Sequence, residues 1–216
     1  MLAVPMKSQY GPTLGRLLSP RWRAASPLVR RAVIAAGVAI VALLIAAGLT
    51  LENASYSHGG RVPFSFSYRG LYRVVPEPGQ FVRMQRRRSD GALEDSLAVA
   101  PVRLPPYSGE ESGELPLYAV SYIRTLSRRH PQFVLEGEGK TKVDTIFAYA
   151  VSYTTVLEGR TMWGRDILVL PERAGVREGI DIEMLTSPTA NSQVNSPTEV
   201  GSAGVLSRPL RTFSFG

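Results

Sequence analysis

The hydrophobic residues of the chain follow three patterns, and the first is an unbroken apolar run. Residues 32–51 (AVIAAGVAIVALLIAAGLTL) hold no charged side chain, and Thr50 is their one polar residue. Twenty helical residues rise about 30 Å, the thickness of the hydrocarbon core of a bilayer. A buried core helix is usually shorter, and a cleaved signal peptide has a shorter apolar region. The run therefore predicts an uncleaved transmembrane helix at residues 32–51.

The charges beside this predicted helix indicate its orientation. Arg21, Arg23, Arg30 and Arg31 lie just before it, whereas Arg61 is the first basic residue after it. Because the more basic flank of a membrane helix stays in the cytoplasm, we expect a single-pass protein of the cell membrane. Its N-terminus would lie in the cytoplasm and its C-terminal part outside.

The segments on either side of the predicted helix lack a core-forming pattern. Residues 1–31 contain six basic residues, four prolines and no acidic residue, which predicts a disordered cytoplasmic tail whose arginines rest on the lipid headgroups. Residues 52–61 (ENASYSHGGR) are interpreted as a flexible tether. Small residues at helical spacing on the membrane helix favour a homodimer through its Ala/Gly face.

The second pattern is a period of two, which is typical of half-buried strands. It begins at residues 62–68 (VPFSFSY), and residues 71–75 are interpreted as the strand returning from a turn at Arg69 and Gly70. Two longer hairpins follow, with turns at residues 89–91 (SDG) and at residues 158–159 (EG). Residues 137–141 (GEGKT) lack the earlier glycine of a phosphate-binding loop, so we expect a turn between strands there.

The third pattern is a single helical stripe. Leu115, Tyr118, Ala119, Tyr122 and Leu126 recur at intervals of three and four, which predicts an amphipathic helix ending before Pro131. One helix packed on hairpin-connected strands is an α+β fold with an antiparallel sheet. We assign this extracytoplasmic domain to residues 62–216. Within it, residues 187–204 are small and polar and are expected to form a loop, and residues 205–216 are expected to dock on the domain.

Composition excludes several classes of protein. The 216 residues include no cysteine and only two histidines, so disulfide scaffolds, thiolate chemistry and three-histidine metal sites cannot be built. The net charge of +7 does not indicate a nucleic-acid partner, because six of the 25 basic residues lie in the acid-free tail. The rest of the chain, with 19 basic and 18 acidic residues, is nearly neutral. The sequence contains no recognisable catalytic, cofactor or metal motif.

A few residues remain as candidates for contact with a partner. Arg83, Arg86, Arg87 and Arg88 form a basic run that could bind anionic groups, and Trp163 could lie in a surface recognition cluster. The alternative for the arginines is a solvated hairpin end whose charges face Glu94 and Asp95 across the turn. For Trp163 the alternative is a place in the core.

The order of features in the outer domain resembles the PsbP-like fold. The aromatic opening segment at residues 62–68, the helix at residues 115–130, the long strands at residues 147–157 and 160–170, and the closing segment at residues 210–215 (LRTFSF) carry the resemblance. It implies a small α/β/α sandwich that serves as an accessory or interaction module and is usually not catalytic. The membrane helix is a departure from that pattern.

These observations favour a membrane-anchored protein that presents a non-catalytic interaction or assembly domain outside the cytoplasm. The expected partners are the bilayer and another membrane or envelope protein. Two alternatives remain open at this point. One is an envelope hydrolase that uses carboxylates or a serine without a known motif, which a cluster of carboxyls with raised pKa would favour. The other is a transmembrane sensor subunit that signals through the basic tail.

Overall fold

The computed structural model describes residues 26–50, 54–108, 111–171 and 177–216, and the chain divides into two compact units, Met1–Leu49 and Thr50–Gly216. Helix α1 spans Pro27–Thr50, all but its last residue in the first unit, and it is long and apolar enough to cross a membrane. The helix begins before the predicted residue 32 because Ser26 accepts a hydrogen bond from the Val29 N–H and Pro27 suits a first helical position. The tail predicted at residues 1–31 lies mostly outside the described residues.

The described residues of the second unit form ten strands and two α-helices. A three-stranded sheet has the order β1-β2-β10, and a seven-stranded sheet has the order β3-β4-β5-β9-β8-β7-β6, with every neighbouring pair antiparallel. The elements are β1 (Ala54–His58), β2 (Phe64–Tyr68), β3 (Arg73–Val74), β4 (Val82–Arg87), β5 (Leu93–Arg103), α2 (Glu111–Arg129), β6 (Val134–Val143), β7 (Ile146–Leu157), β8 (Arg160–Val169), β9 (Glu178–Thr186), α3 (Ser207–Arg211) and β10 (Ser214–Phe215).

The mixed α and β architecture with antiparallel sheets confirms the predicted fold class of this unit. The hairpins β4–β5 and β7–β8 and the amphipathic helix α2 lie where the sequence predicts them. Gly91 and Gly159 adopt φ of +86° and +73° in the two hairpin turns, a conformation that glycine enters without a steric cost. Turn chemistry and periodicity are local signals, which is why these elements could be predicted.

Three local interpretations of the sequence are wrong. The tether at residues 52–61 contains strand β1, which pairs along its whole length with β2, and the Tyr56 hydroxyl donates to the Phe81 carbonyl. The predicted return strand at residues 71–75 is only β3, which pairs with β4 and not with β2. The turn expected at residues 137–141 is the interior of strand β6, and the chain reverses at residues 144 and 145.

Both faces of the seven-stranded sheet are covered over its central strands. One face carries the larger core and is covered by the three-stranded sheet, the segment after β9 and the C-terminal residues. The predicted docking of the C-terminus is confirmed, because Phe213 stacks on Phe64 and Phe66 with ring centroids 5.2 and 5.6 Å apart. The predicted loop at residues 187–204 contains a 3-10 helix, Pro197–Glu199, and buries Val194 and Val200.

Helix α2 covers the opposite face of the sheet. Its apolar stripe packs on the middle strands and forms a second, smaller core. The members of that core that are buried are Val102, Leu104, Ala119, Tyr122, Leu126, Val151, Tyr153 and Leu168. Both faces of the central strands are therefore covered, and the carboxyls of Asp95, Asp166 and Asp181 are removed from water.

Candidate functional site

A cluster of ionisable side chains lies between helix α2 and the centre of the sheet. Strand pairing sets Asp166 on β8 directly opposite Glu183 on β9, and Asp181 is the diagonal neighbour, opposite Leu168. Side chains at alternate positions of a strand share a face, so Asp181 and Glu183 face α2 while Ile180 and Ile182 enter the larger core. Asp166 is 0% exposed and Asp181 is 3% exposed.

The helix contributes Tyr122, whose hydroxyl lies between the two buried carboxyls. Its oxygen is 2.7 Å from Asp166 Oδ2 and also within hydrogen-bonding distance of Asp181 Oδ2. Tyr122 reaches this position because it falls on the stripe that α2 turns towards the sheet, one turn before the buried Leu126. The packing that buries the ring also delivers its hydroxyl to the carboxyls.

Asp166 has more hydrogen-bond donors around it than Asp181. The Tyr153 hydroxyl donates to Asp166 Oδ1 at 3.1 Å, and the guanidinium of Arg129 lies 3.6 Å from Asp166 Oδ2. Asp181 Oδ1 is buried without a hydrogen-bond partner. The two carboxyls therefore differ: Asp166 suits the ionised form and Asp181 does not.

Counting hydrogens leads to the same assignment. A tyrosine hydroxyl carries one hydrogen, so Tyr122 can donate to only one of the two carboxyl oxygens beside it. If both carboxyls were ionised, the other oxygen would face the lone pairs of the hydroxyl without a hydrogen between them. The arrangement is satisfied when Asp181 is protonated and donates to Tyr122, and Tyr122 donates to ionised Asp166.

The electrostatics of the cluster support this arrangement. Burial, followed by the charges of Asp166 and Glu183, raises the pKa of Asp181 well above its usual range. Burial and the charge of Glu183 raise the pKa of Asp166 to about 7, although the Tyr122 hydroxyl and Arg129 favour its ionised form. The pKa of Tyr122 is raised well above 10, mainly by burial, so its hydroxyl keeps its hydrogen.

Arginine side chains close the cluster at the C-terminal end of α2. Arg129 Nη1 lies 3.0 Å from Glu183 Oε1, and Arg83 Nη2 lies 3.7 Å from Glu183 Oε2. Cations at this end of a helix also interact favourably with its dipole. Arg129 and Arg83 thus provide positive charge near Glu183 and Asp166, while Asp181 forms no ion pair among the described residues.

His130 and Tyr153 form the border of the cluster. The His130 Nε2 atom lies 3.4 Å from the Tyr153 hydroxyl, and the two ring centroids are 5.0 Å apart. Burial, and then the charges of Arg129 and Arg83, lower the pKa of His130 to about 4, so its ring is neutral at pH 7. Gly164 lies under the Tyr153 ring, where any Cβ would collide with it.

The arginines of the predicted basic run differ in their ion pairs and in their exposure. Arg86 forms ion pairs within the domain: its Nε donates to Asp95 Oδ2 at 2.6 Å and its Nη1 lies 2.7 Å from Glu94 Oε2. These are the ion pairs that the alternative interpretation places across the turn. Arg87 pairs with Glu158 at 2.9 Å, and the Arg88 side chain is 51% exposed.

The remaining predicted contact residue, Trp163, lies half-buried against the larger core. It is separated from the arginine run in the chain and lies on strand β8, opposite Thr186 of β9. Of the predicted residues, Arg83 alone approaches the carboxyl cluster, through Glu183. The described residues contain no group of three or more acidic or histidine side chains that could hold a metal ion.

Sequence reasoning did not identify the carboxyl cluster. The alternation along β9 puts Asp181, Glu183 and Leu185 on one face, but an alternating strand is ordinarily taken to expose its polar face to water. The available signal was in the helix, where Tyr118 and Tyr122 occupy a buried stripe. A buried tyrosine hydroxyl needs a hydrogen-bond partner, and the polar face of β9 offers one.

The second unit has the PsbP-like fold, as the resemblance in sequence order predicts. The solution structure of cyanobacterial PsbP (CyanoP) from Synechocystis sp. PCC 6803 matches with a TM-score of 0.50 and 14% identity, over 77% of this chain and 94% of that one. LpqN, involved in cell envelope biogenesis of Mycobacterium tuberculosis, matches with a TM-score of 0.52 and 8% identity, over 75% and 90%. At these identities the similarity is one of fold.

No protein-family model and no curated protein sequence matches the chain.

Proposed function

We propose that this chain is a single-pass membrane protein whose PsbP-like domain serves as a non-catalytic interaction or assembly module outside the cytoplasm. Helix α1 is long enough to span a bilayer, and the basic flank before it favours a cytoplasmic N-terminus. LpqN, which has a similar fold, is involved in cell envelope biogenesis. An envelope protein or another membrane protein is the expected partner.

The burial of the carboxyl cluster is the observation that carries the non-catalytic part of this proposal. Asp166 and Asp181 have the raised pKa values that general acids use. A general acid must also reach the atom that it protonates, directly or through one water. With exposures of 0% and 3%, both carboxyls are enclosed by α2 and the sheet. Their arrangement suits the support of a rigid domain.

The arginine run and Trp163 are proposed as part of the contact surface, but only some of these residues are exposed enough to touch a partner. Arg87 and Arg88 keep 43% and 51% of their side chains exposed and can meet an anionic group. Arg86 holds Asp95, Arg83 lies near Glu183, and Trp163 is half-buried, so these three would act mainly by supporting the surface. The Ala/Gly face of α1 is kept as a proposed dimer contact within the bilayer.

Topology is tested with the full chain carrying a reporter after Gly216. A phosphatase reporter that works only outside the cytoplasm is expected to be active, and a fluorescent reporter that works only inside is expected to be silent. Substituting Arg21, Arg23, Arg30 and Arg31 by glutamine should weaken this preference, because the basic flank directs orientation. An active cytoplasmic reporter on the unaltered chain would contradict the proposed placement.

The interaction role is tested by crosslinking in intact membranes followed by mass spectrometry. A photoreactive side chain at position 88 is expected to capture a protein in stoichiometric amount, and one at position 124, on the exposed face of α2, serves as the comparison. The hydrolase alternative has one observation in its favour, the raised carboxyl pKa values. Turnover of an envelope substrate that is lost in Asp166→Asn, together with no captured neighbour, would replace the proposal with that alternative.

A further inference from the structure

Strand β6 forms one end of the seven-stranded sheet and pairs on one side only, with β7. An exposed strand edge offers a row of backbone N–H and C=O groups to any strand that fits it. Ten residues long, β6 is far longer than β3, the two-residue strand at the opposite end. The side chains of Val134 and Leu135 and the neighbouring Phe147 leave apolar surface exposed beside this edge.

The β6–β7 turn determines which residues of β6 point outward. The strands are joined by two residues, 144 and 145, so Val143 and Ile146 form the hydrogen-bonded pair that closes the hairpin. Hydrogen-bonded and open positions alternate along an antiparallel pair. It follows that the backbone groups of Glu138, Lys140 and Lys142 point away from β7, towards the free edge.

The charges on this edge change sign about a central glycine. Residues 136–142 read Glu-Gly-Glu-Gly-Lys-Thr-Lys, with Gly139 in the middle. Glu138, Lys140 and Lys142 are exposed and share the face of the sheet that carries α2. Neither lysine forms an ion pair within the described part of the chain, and Lys142 lies 4.8 Å from the centre of the Phe147 ring.

We propose that two copies of this chain pair antiparallel through β6, about a two-fold axis at Gly139. Glu138 of each copy then lies directly opposite Lys140 of the other, and Glu136 lies in line with Lys142. The outward backbone groups of residues 138 and 140 form the hydrogen-bonded pairs. The interface uses the same strand from both copies, so it closes at a dimer.

Other registers fit less well. Moving the axis to Lys140 places lysine opposite lysine, and moving it to Glu138 places glutamate opposite glutamate. A one-residue slip of one strand would set outward backbone groups against inward ones. Charged residues and a bulge often protect an edge from pairing, and β6 does have an irregularity between Leu135 and Gly137. That irregularity limits the length over which two copies of β6 can pair. The inverted charges favour the register centred on Gly139 over the others.

The inference does not rest on the proposed membrane placement, and it differs from a dimer through α1. Pairing through β6 requires a particular register and opposite charges at positions 138 and 140. Pairing through the small residues of α1 requires neither. Measurements on the full chain in detergent micelles and in membranes can therefore separate the two interfaces.

A single introduced cysteine tests the register, because the chain contains no other. Gly139→Cys is sterically permitted, since a Cβ there meets no atom within 4 Å. Its Cα lies about 4.5 Å from its counterpart across the two-fold axis, within disulfide range. Mild oxidation is expected to give a disulfide-linked dimer. Thr141→Cys, on the same face of β6, is the matched control, because its copies lie about 13 Å apart along the strands.

Charge reversal tests the pairing partner. In the Gly139→Cys background, Glu138→Lys or Lys140→Glu sets like charges opposite each other twice, and crosslinking should fall about tenfold. The double reversal restores opposite charges and should restore the yield. Arg124→Glu, on the exposed face of α2, should leave it unchanged. Equal crosslinking at positions 139 and 141, or no recovery in the double reversal, would overturn the proposal. Either result would do so even if the chain formed a dimer through α1.

Discussion

Buried carboxyls occur on both faces of the seven-stranded sheet, and the two sites are built differently. On the larger-core face, Asp95 is 0% exposed, and each of its oxygens has a donor: Arg86 Nε at 2.6 Å and Thr186 Oγ1 at 2.6 Å. On the α2 face, Asp166 and Asp181 share one hydroxyl, and Asp181 Oδ1 has no partner.

The difference shows that burial alone does not decide whether a carboxyl is ionised. Burial raises the pKa of Asp95 as well, but the hydrogen bonds from Thr186 and Arg86 and the charge of Arg86 act in the opposite direction. Asp181 lacks such donors, so a proton is the least costly way to satisfy it. Removing a hydrogen-bond donor should therefore lower the free energy of unfolding most at the Asp95 site. Replacing Asp181 by a side chain that needs no added proton should instead change how that free energy depends on pH.

The largest effect is expected for Arg86→Met. The substitution keeps an unbranched apolar stem but leaves Asp95 buried without its cation, which typically costs about 3–5 kcal/mol. Urea unfolding of the full chain in micelles, followed by near-ultraviolet circular dichroism, measures the loss. Arg87→Met is the matched control, because its pair with Glu158 is solvent-exposed and worth at most about 1 kcal/mol. Equal losses in both variants would contradict the contrast.

A smaller loss is expected for Tyr122→Phe. The ring still fills the core beneath α2, but the hydroxyl that joins Asp166 to Asp181 is removed, at a cost of about 2 kcal/mol. Tyr118→Phe on the same helix should cost less than about 0.5 kcal/mol, because that hydroxyl has no hydrogen-bond partner among the described residues. The same unfolding measurement at pH 7 distinguishes them, and a loss of similar size at both positions would refute the bridging role of Tyr122.

The most specific effect, a change in the pH dependence of stability, is expected for Asp181→Asn. A carboxyl whose folded pKa is raised favours folding below its unfolded pKa, and that stability is lost as pH rises through the folded pKa. Asparagine supplies a donor to Tyr122 at every pH. In the unaltered protein, the proton on Asp181 makes the free energy of unfolding fall as pH rises, by up to about 1.4 kcal/mol per pH unit. The variant should lack this part of the slope.

The pH range matters for this measurement because His130 acts in the opposite direction. Its pKa is lowered to about 4, so it adds stability as pH rises from 4 to about 6.5. Denaturation curves between pH 6.5 and 8.5 avoid that interval. The exposed Asp90→Asn is the control and should keep the slope of the unaltered protein. An unchanged slope in Asp181→Asn would mean that Asp181 is already ionised.

The sequence predicted the elements whose signals are local. Turn residues identified the hairpins at Gly91 and Gly159, and a stripe at helical spacing identified α2. Strand β1 was missed because its residues are mostly small and polar, and its order comes from pairing with β2 and from the Tyr56 hydrogen bond. The glycine-rich stretch within β6 was interpreted as a turn for a similar reason, since only its pairing with β7 makes it a strand.

The amino-acid sequence by itself determined the apolar helix, the alternation of the strands and the near-neutral charge of the second unit, because each depends only on residue identity and spacing along the chain. Only the tertiary structure decided that Asp166 and Asp181 meet beneath Tyr122. Their encounter depends on the register of β8 against β9 and on the face that α2 covers. Burial and hydrogen-bond partners are properties of that packing, and they decide which of two aspartates keeps its proton.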